Sequence, residues 1–210
     1  MGFPKLDYVS SAPDPWNNKF THFDGNHDAK YWHGPIELEA GELLYSFVRG
    51  TKPEVVVETG TATGFSGLFL GCALRDNKFG KLYTIEFNTN LLARAKKRFE
   101  DENISQFVNA YQGNSEDFPE ILHNLISKST IPPFDTIDLL FLDADDGHDY
   151  KHTINEYNNF RNKFTIKMII LHDILSFPGP RQVFDEVKHD WKYSMILPTA
   201  RGLGVLLNNE

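Results

Sequence analysis

Apolar runs of strand length alternate with amphipathic stretches of helix length along most of this 210-residue chain. Residues 54–59, 81–87, 107–112, 137–143 and 166–172 read as strands, the first carrying the buried-type run Val55-Val56-Val57. Between them, residues 66–75, 89–101, 116–127 and 150–161 read as helices. Alternation of this kind predicts a parallel sheet covered on both faces and joined by right-handed crossovers. Ahead of the first strand, Ile36, Leu38, Leu43, Leu44, Phe47 and Val48 recur at helical spacing behind Pro35, which gives a leading helix. A further helix is expected near residues 181–190. Residues 193–198 and 203–208, joined by a short link, then form a terminal antiparallel pair. The fold class is therefore α/β, a doubly wound, Rossmann-like sheet of seven mostly parallel strands, occupying residues 35–210. Residues 1–34 are rich in Pro, Asn, Asp and His without a clean period, and read as an irregular arm.

Composition narrows the picture. Hydrophobic residues make up 40% and aromatics 13%, with 17 Phe, enough apolar surface to support one folded domain. The net charge of −8 comes without a basic stripe, which argues against a nucleic-acid partner. Cys72 is the only cysteine, so it forms no internal disulfide and no zinc cluster; its apolar helix face makes it a core residue. The first residues lack the basic-then-apolar pattern of a secretion signal, and no apolar run approaches the ~18 residues of a membrane span. A cytoplasmic location without a membrane partner is the expectation.

The most informative stretch is Glu58-Thr59-Gly60-Thr61-Ala62-Thr63-Gly64-Phe65-Ser66, where a strand runs through a glycine turn into a helix. Open α/β sheets bind ligands at that edge, and glycines let the backbone turn tightly while helix amides hold an anion. Ala62 stands where a dinucleotide fingerprint needs its second glycine, and Glu58 puts a carboxylate where a pyrophosphate would be repelled. S-adenosylmethionine (SAM) suits these residues better: its ammonium meets Glu58, its carboxylate meets the helix amides, and its sulfonium needs no phosphate cradle. Glu86, at the end of the next strand, takes the place of an acidic residue that receives ribose hydroxyls. Asn114 and Ser115 follow the third strand, where small polar groups can meet adenine.

The glycine turn resembles the first motif, E-x-G-x-x-x-G-x-S, of class I SAM-dependent O-methyltransferases. Leu140-Phe141-Leu142-Asp143-Ala144-Asp145, Gly147-His148-Asp149-Tyr150, Leu171-His172-Asp173 and Gly202-Leu203-Gly204 are similar to pieces of the small-molecule branch that includes catechol, caffeoyl-CoA and macrolide-sugar methyltransferases. The resemblance implies a SAM site lined by Glu58, Gly60, Ser66, Glu86, Ser115 and Asp143, to which the turn and the end of the third strand add Thr61, Ala62, Gly64 and Asn114, and it implies methyl transfer to a hydroxyl of a small molecule; a homodimer is one assembly to consider. It also implies a divalent metal, Mg or Mn, on Asp143, His172 and Asp173, which crowd acidic and imidazole groups at two strand tips. His172 departs from the catechol-type pattern, since it replaces a carboxylate and imidazole suits Mn, Fe or Zn better than Mg. A metal-free rim, with Asp143 on the cofactor and Asp173 capping a turn, is equally consistent with the residues.

Asp146 occupies the position at which catechol-type enzymes carry a basic Lys, so His148 is the candidate general base, with Asp143 beside it and His172 as the fallback. Asp145 to His148 reproduces an Asp-x-x-His arrangement of sugar methyltransferases. Trp16, Tyr31, Trp32 and His33 are available to line an acceptor pocket from the arm. Two other classes remain open, since one fold hosts many chemistries: an oxidoreductase using a nucleotide cofactor, and a non-catalytic SAM-binding domain.

Overall fold

The computed structural model describes residues 36–144 and 148–208. The arm expected over residues 1–34, with Trp16, Tyr31, Trp32 and His33, and the rim residues Asp145 and Asp146 lie outside that range. Helix α1 (Leu38–Thr51) leads, as its apolar spacing predicts, and stops at Lys52 in a left-handed conformation (φ 50°) before Pro53. Then follow β1 (Val55–Thr59), α2 (Phe65–Asn77), β2 (Lys81–Glu86), α3 (Thr89–Asp101), β3 (Val108–Gln112), α4 (Phe118–Ser127), β4 (Thr136–Ile137) and β5 (Leu139–Leu142). The remainder is α5 (Tyr150–Lys163), β6 (Thr165–Ile166), β7 (Met168–Leu171), α6 (Pro178–Val187), β8 (Tyr193–Leu197) and β9 (Leu203–Leu207).

Seven strands form one sheet in the order β3-β2-β1-β5-β7-β9-β8, parallel except that β9 runs antiparallel to both of its neighbours. Strand order reverses between β1 and β5, which is where ligands of such sheets bind. Period-2 alternation sorts the side chains onto two faces. Val56, Leu82, Phe141 and Ile170 pack under α1, α2 and α3, whereas Val57, Ile85, Leu142 and Leu171 pack under α4, α5 and α6. Helix α2 is buried over ten successive residues, Phe65 to Leu74, because α1 covers the side that the sheet does not, and Cys72 lies in that core. No helix among the described residues is long and apolar enough to cross a membrane.

Three expected elements differ in detail. The strand read over residues 137–143 breaks at Asp138, whose carboxylate accepts hydrogen bonds from the amides of Glu54 and Val55 and pairs with Lys167 at 2.7 Å. Lys167 likewise separates β6 from β7, so β4 and β6 form a small separate ladder. The helix read from residue 116 opens as a 3-10 turn, Ser115–Asp117, because Pro119 is tolerated only in the first turn of the α-helix that follows. Helix α6 starts earlier than the expected residue 181, at Pro178, and its last predicted residues, Lys188–Asp190, are 3-10.

Candidate active site

The tips of β1, β2, β3, β5 and β7 converge at the carboxyl edge. Gly60 (φ 80°) makes the turn after β1, and a Cβ there would lie 2.3 Å from the carbonyl oxygen of Asp143. Only glycine allows β1 and β5 to approach this closely. Ala62 also has positive φ (45°), and its amide donates to Glu86 Oε2 at 2.7 Å. Glu86 Oε1 accepts from the Asn88 amide at 2.8 Å, which fixes the carboxylate on the wall of the site. A turn amide that a phosphate would need is thus already held by a carboxylate.

Beside the turn lies a cleft of about 400 Å³. Of the residues expected at a cofactor, Gly60, Ala62, Glu86, Asn114, Ser115 and Asp143 line it, joined by Phe87, Asn88, Leu91 and His152, which the sequence did not mark. Ser115 Oγ lies 3.1 Å from His152 Nε2 on α5, and Asn114 Oδ1 accepts from the Glu116 amide. Glu58, Thr61, Gly64 and Ser66 are placed behind the turn instead of on the cleft wall. Glu58 is fully buried: Oε2 accepts from Thr84 Oγ1 at 2.7 Å, while Oε1 has no partner among the described residues. Burial pushes this carboxyl up to about 7, against the lowering effect of the Ser66 and Thr84 hydroxyls.

Next to the cleft, and sharing Asp143 and Ala144 with it, is a second, nearly filled hollow lined by Asp143, His148, Glu156, His172 and Asp173. Here α1, β5, β7, the start of α6 and the β8–β9 loop meet. His172 Nδ1 lies 2.9 Å from Asp143 Oδ1, and Nε2 lies 2.9 Å from Glu37 Oε2 at the start of α1. Glu37 Oε1 in turn accepts from Thr199 Oγ1 and the Arg201 amide. Asp173 receives the Arg201 guanidinium on both oxygens, at 2.6 and 2.7 Å. His148 Nδ1 lies 3.2 Å from Asp173 Oδ2, and its ring stacks on Phe177 with centroids 3.7 Å apart. The backbone behind His148 is fixed too, since a Cβ on Gly179 would lie 2.1 Å from the His148 carbonyl oxygen.

Asp143, His172 and Asp173, the expected metal ligands, do come together, with one donor atom from each inside a 4.8 Å span. Their chemistry does not fit a divalent ion. Burial disfavours a charge on His172, but Asp143, Glu37 and Asp173 outweigh it and push the imidazole up to about 10. Both ring nitrogens already face carboxylate oxygens, and both oxygens of Asp173 face Arg201, so the donors a metal would need are engaged within the protein. Burial would raise Glu37, yet His172, Thr199 and Arg201 hold it down at about 2.

These shifts set a pH window. His172, raised from its ordinary 6.5, contributes stability that is complete below that value and lost as pH rises through about 10. Glu37, lowered from 4.5, contributes stability that is present above 4.5 and lost as pH falls through about 2. The unfolding temperature is expected to decline from pH 6.5 to pH 10, and to decline less in His172→Gln. Equal slopes for the two proteins in a thermal-unfolding series would remove His172 as the titrating group.

Sequence reasoning missed Glu37, Arg201, His152, Glu156 and Phe177. Glu37 and His172 are 135 positions apart, so no local spacing connects them. Arg201 directly precedes the Gly202-Leu203-Gly204 piece, which was the one available pointer.

Comparison with known proteins agrees with this fold. A family model described as a methyltransferase domain matches residues 57–174, which run from β1 through the Asp173 cluster. A Mycobacteroides abscessus protein described as a candidate O-methyltransferase is 32% identical over 111 residues, 53% of this chain and 46% of its own length. The chain thus matches about half the length of that curated relative. Among solved structures, an O-methyltransferase from Bacillus cereus in complex with S-adenosylhomocysteine (SAH) aligns over 86% of each chain with TM-score 0.66 at 16% identity. An SAH-bound methyltransferase from Podospora anserina aligns over 100% of this chain and 98% of its own with TM-score 0.65 at 16% identity. At such identities the structural likeness shows the fold alone. With the family model covering more than half of its residues, the chain belongs to the methyltransferase domain family.

Proposed function

We propose that the protein is a SAM-dependent methyltransferase that transfers a methyl group to a hydroxyl of a small molecule. The observation that carries this reading is the union of two features at one sheet edge: a cofactor-sized cleft walled by Glu86 and Ser115, and, sharing Asp143 with it, the His148-Asp173 pair. SAM, when bound, supplies an electrophilic methyl group on a sulfonium. The residues fit it. Glu86 offers a fixed carboxylate to ribose hydroxyls, and Asn114 and Ser115 offer small polar groups beyond it.

On the acceptor side, His148 takes the hydroxyl proton. Asp173 faces its Nδ1 and Phe177 covers one ring face, so the imidazole is held in one orientation before the acceptor arrives. The Bacillus cereus and Podospora anserina structures, both solved with SAH, and the relative described as an O-methyltransferase support the same cofactor and reaction.

Calorimetry tests the cofactor. SAM or SAH is expected to bind with micromolar affinity, roughly −8 kcal/mol, and NAD not at all. Glu86→Ala is expected to weaken SAH by about 1–3 kcal/mol through lost charged hydrogen bonds. NAD binding without SAM binding overturns the reading, and an unchanged affinity removes Glu86 from the site.

A further inference from the structure

We infer that the guanidinium of Arg201, clamped on Asp173, together with the doubly paired ring of His172, fills the place that a divalent metal occupies in catechol-type methyltransferases, so that this chain works without a metal. The cluster's role in methyl transfer rests on the function proposed above, whereas metal content is measured without turnover, so the two claims fail separately.

The inference stands on geometry. A metal at the β5 and β7 tips would need one lone pair from each of Asp143, His172 and Asp173. His172 directs each ring nitrogen at a carboxylate oxygen, Asp143 on one side and Glu37 on the other, both at 2.9 Å. Asp173 presents both oxygens to Arg201 in a bidentate pair. A metal would have to break the contacts of His172 with two carboxylates and displace a guanidinium from a carboxylate that is itself 1% exposed. Parting a buried ion pair leaves an uncompensated charge in a site closed to water.

The backbone shows that Arg201 is built into this position. Its amide donates to Glu37 Oε1 and its carbonyl accepts from the Leu175 amide, so the residue is tied to α1 and to the segment after β7 at once. Gly202 follows with φ 86°, in a turn where a Cβ would strike Leu175. The side chain is therefore directed inward from a fixed loop, and the positive charge reaches Asp173 without an ion.

A metal at this place would coordinate the acceptor oxygen and lower its pKa. With Arg201 there instead, Arg201 is a positioning residue: it holds Asp173, and Asp173 holds His148. Proton removal then falls to the imidazole alone.

The experiment measures metal directly. Protein dialysed exhaustively against EDTA is expected to contain no stoichiometric metal by mass spectrometry, to keep its unfolding temperature, and to show no rise in that temperature and no bound electron-paramagnetic signal with added Mn²⁺. Arg201→Lys is expected to behave in the same way. Arg201→Met, which leaves Asp143 and Asp173 one cation short, is expected to gain a Mn²⁺-dependent rise in unfolding temperature. A stoichiometric metal in the wild-type protein, or a wild-type unfolding temperature that chelator lowers and Mn²⁺ restores, overturns the inference whether or not the variants fold. A folded Arg201→Met that ignores Mn²⁺ overturns the assignment to Arg201.

Discussion

Replacing His148 with alanine is expected to cut turnover by roughly 10²-fold or more while leaving SAH affinity within about twofold. The asymmetry follows from place. His148 lines the hollow shared with Asp173 and contributes nothing to the wall of the larger cleft. Its removal takes away the group that accepts a proton and leaves Glu86, Asn114 and Ser115 untouched. The loop itself is held by backbone packing on Gly179, so the cofactor side need not rearrange. Asp173→Asn is expected to act in the same direction and to shift the pH profile of turnover, because it removes the charge that faces His148 Nδ1. Wild-type turnover by His148→Ala across pH 6 to 9 would reduce His148 to a loop residue and pass proton transfer to another group or to water.

Gly60→Ala is expected to destabilise the fold and to abolish measurable SAH binding. Two penalties add at this position. The backbone sits at φ 80°, where a Cβ costs about 1–2 kcal/mol, and the new methyl would lie 2.3 Å from the Asp143 carbonyl oxygen, a backbone contact that no rotamer relieves. Overpacking of that kind costs about 1–3 kcal/mol. The sum, roughly 2–5 kcal/mol, corresponds to a fall of about 4–20 °C in unfolding temperature for a chain of this size. Relief of the clash has to separate β1 from β5, and that opens the switch point under the cleft. An unchanged unfolding temperature together with normal SAH affinity would mean that the turn is more yielding than its geometry implies.

The fold was legible because its signals are local. The run Val55-Val56-Val57 buries alternating side chains on opposite faces of the sheet, and the glycines after it announce the turn. The cleft wall was partly legible for the same reason: Glu86, Asn114, Ser115 and Asp143 all stand at strand ends. Residues that act from helix interiors were hidden, as His152 shows, since its neighbours Lys151 and Thr153 give no sign that it reaches Ser115. Burial was misjudged at Glu58, where adjacency to the turn suggests a contact with ligand but the pleat directs the side chain beneath the backbone toward Thr84.

The acidic rim shows a different limit. Asp143, His172 and Asp173 were correctly expected to meet, yet a list of potential ligands does not reveal which lone pairs are already engaged. Glu37 and Arg201 decide that, and they reach the cluster from α1 and from the β8–β9 loop, the two ends of the described chain. Sequence spacing carries no information about such closure. His148 is similar: among the described residues it meets the carboxylate of Asp173, which lies after β7 and outside its own loop.

The central claim, that one sheet edge holds SAM beside a proton acceptor, is tested most directly by a crystal structure of the protein with SAH. The account predicts adenosine in the cleft, with ribose hydroxyls on Glu86, the base near Ser115, and sulfur turned toward the hollow that His148 and Asp143 line. SAH bound elsewhere, or bound with its sulfur turned away from His148, would contradict it.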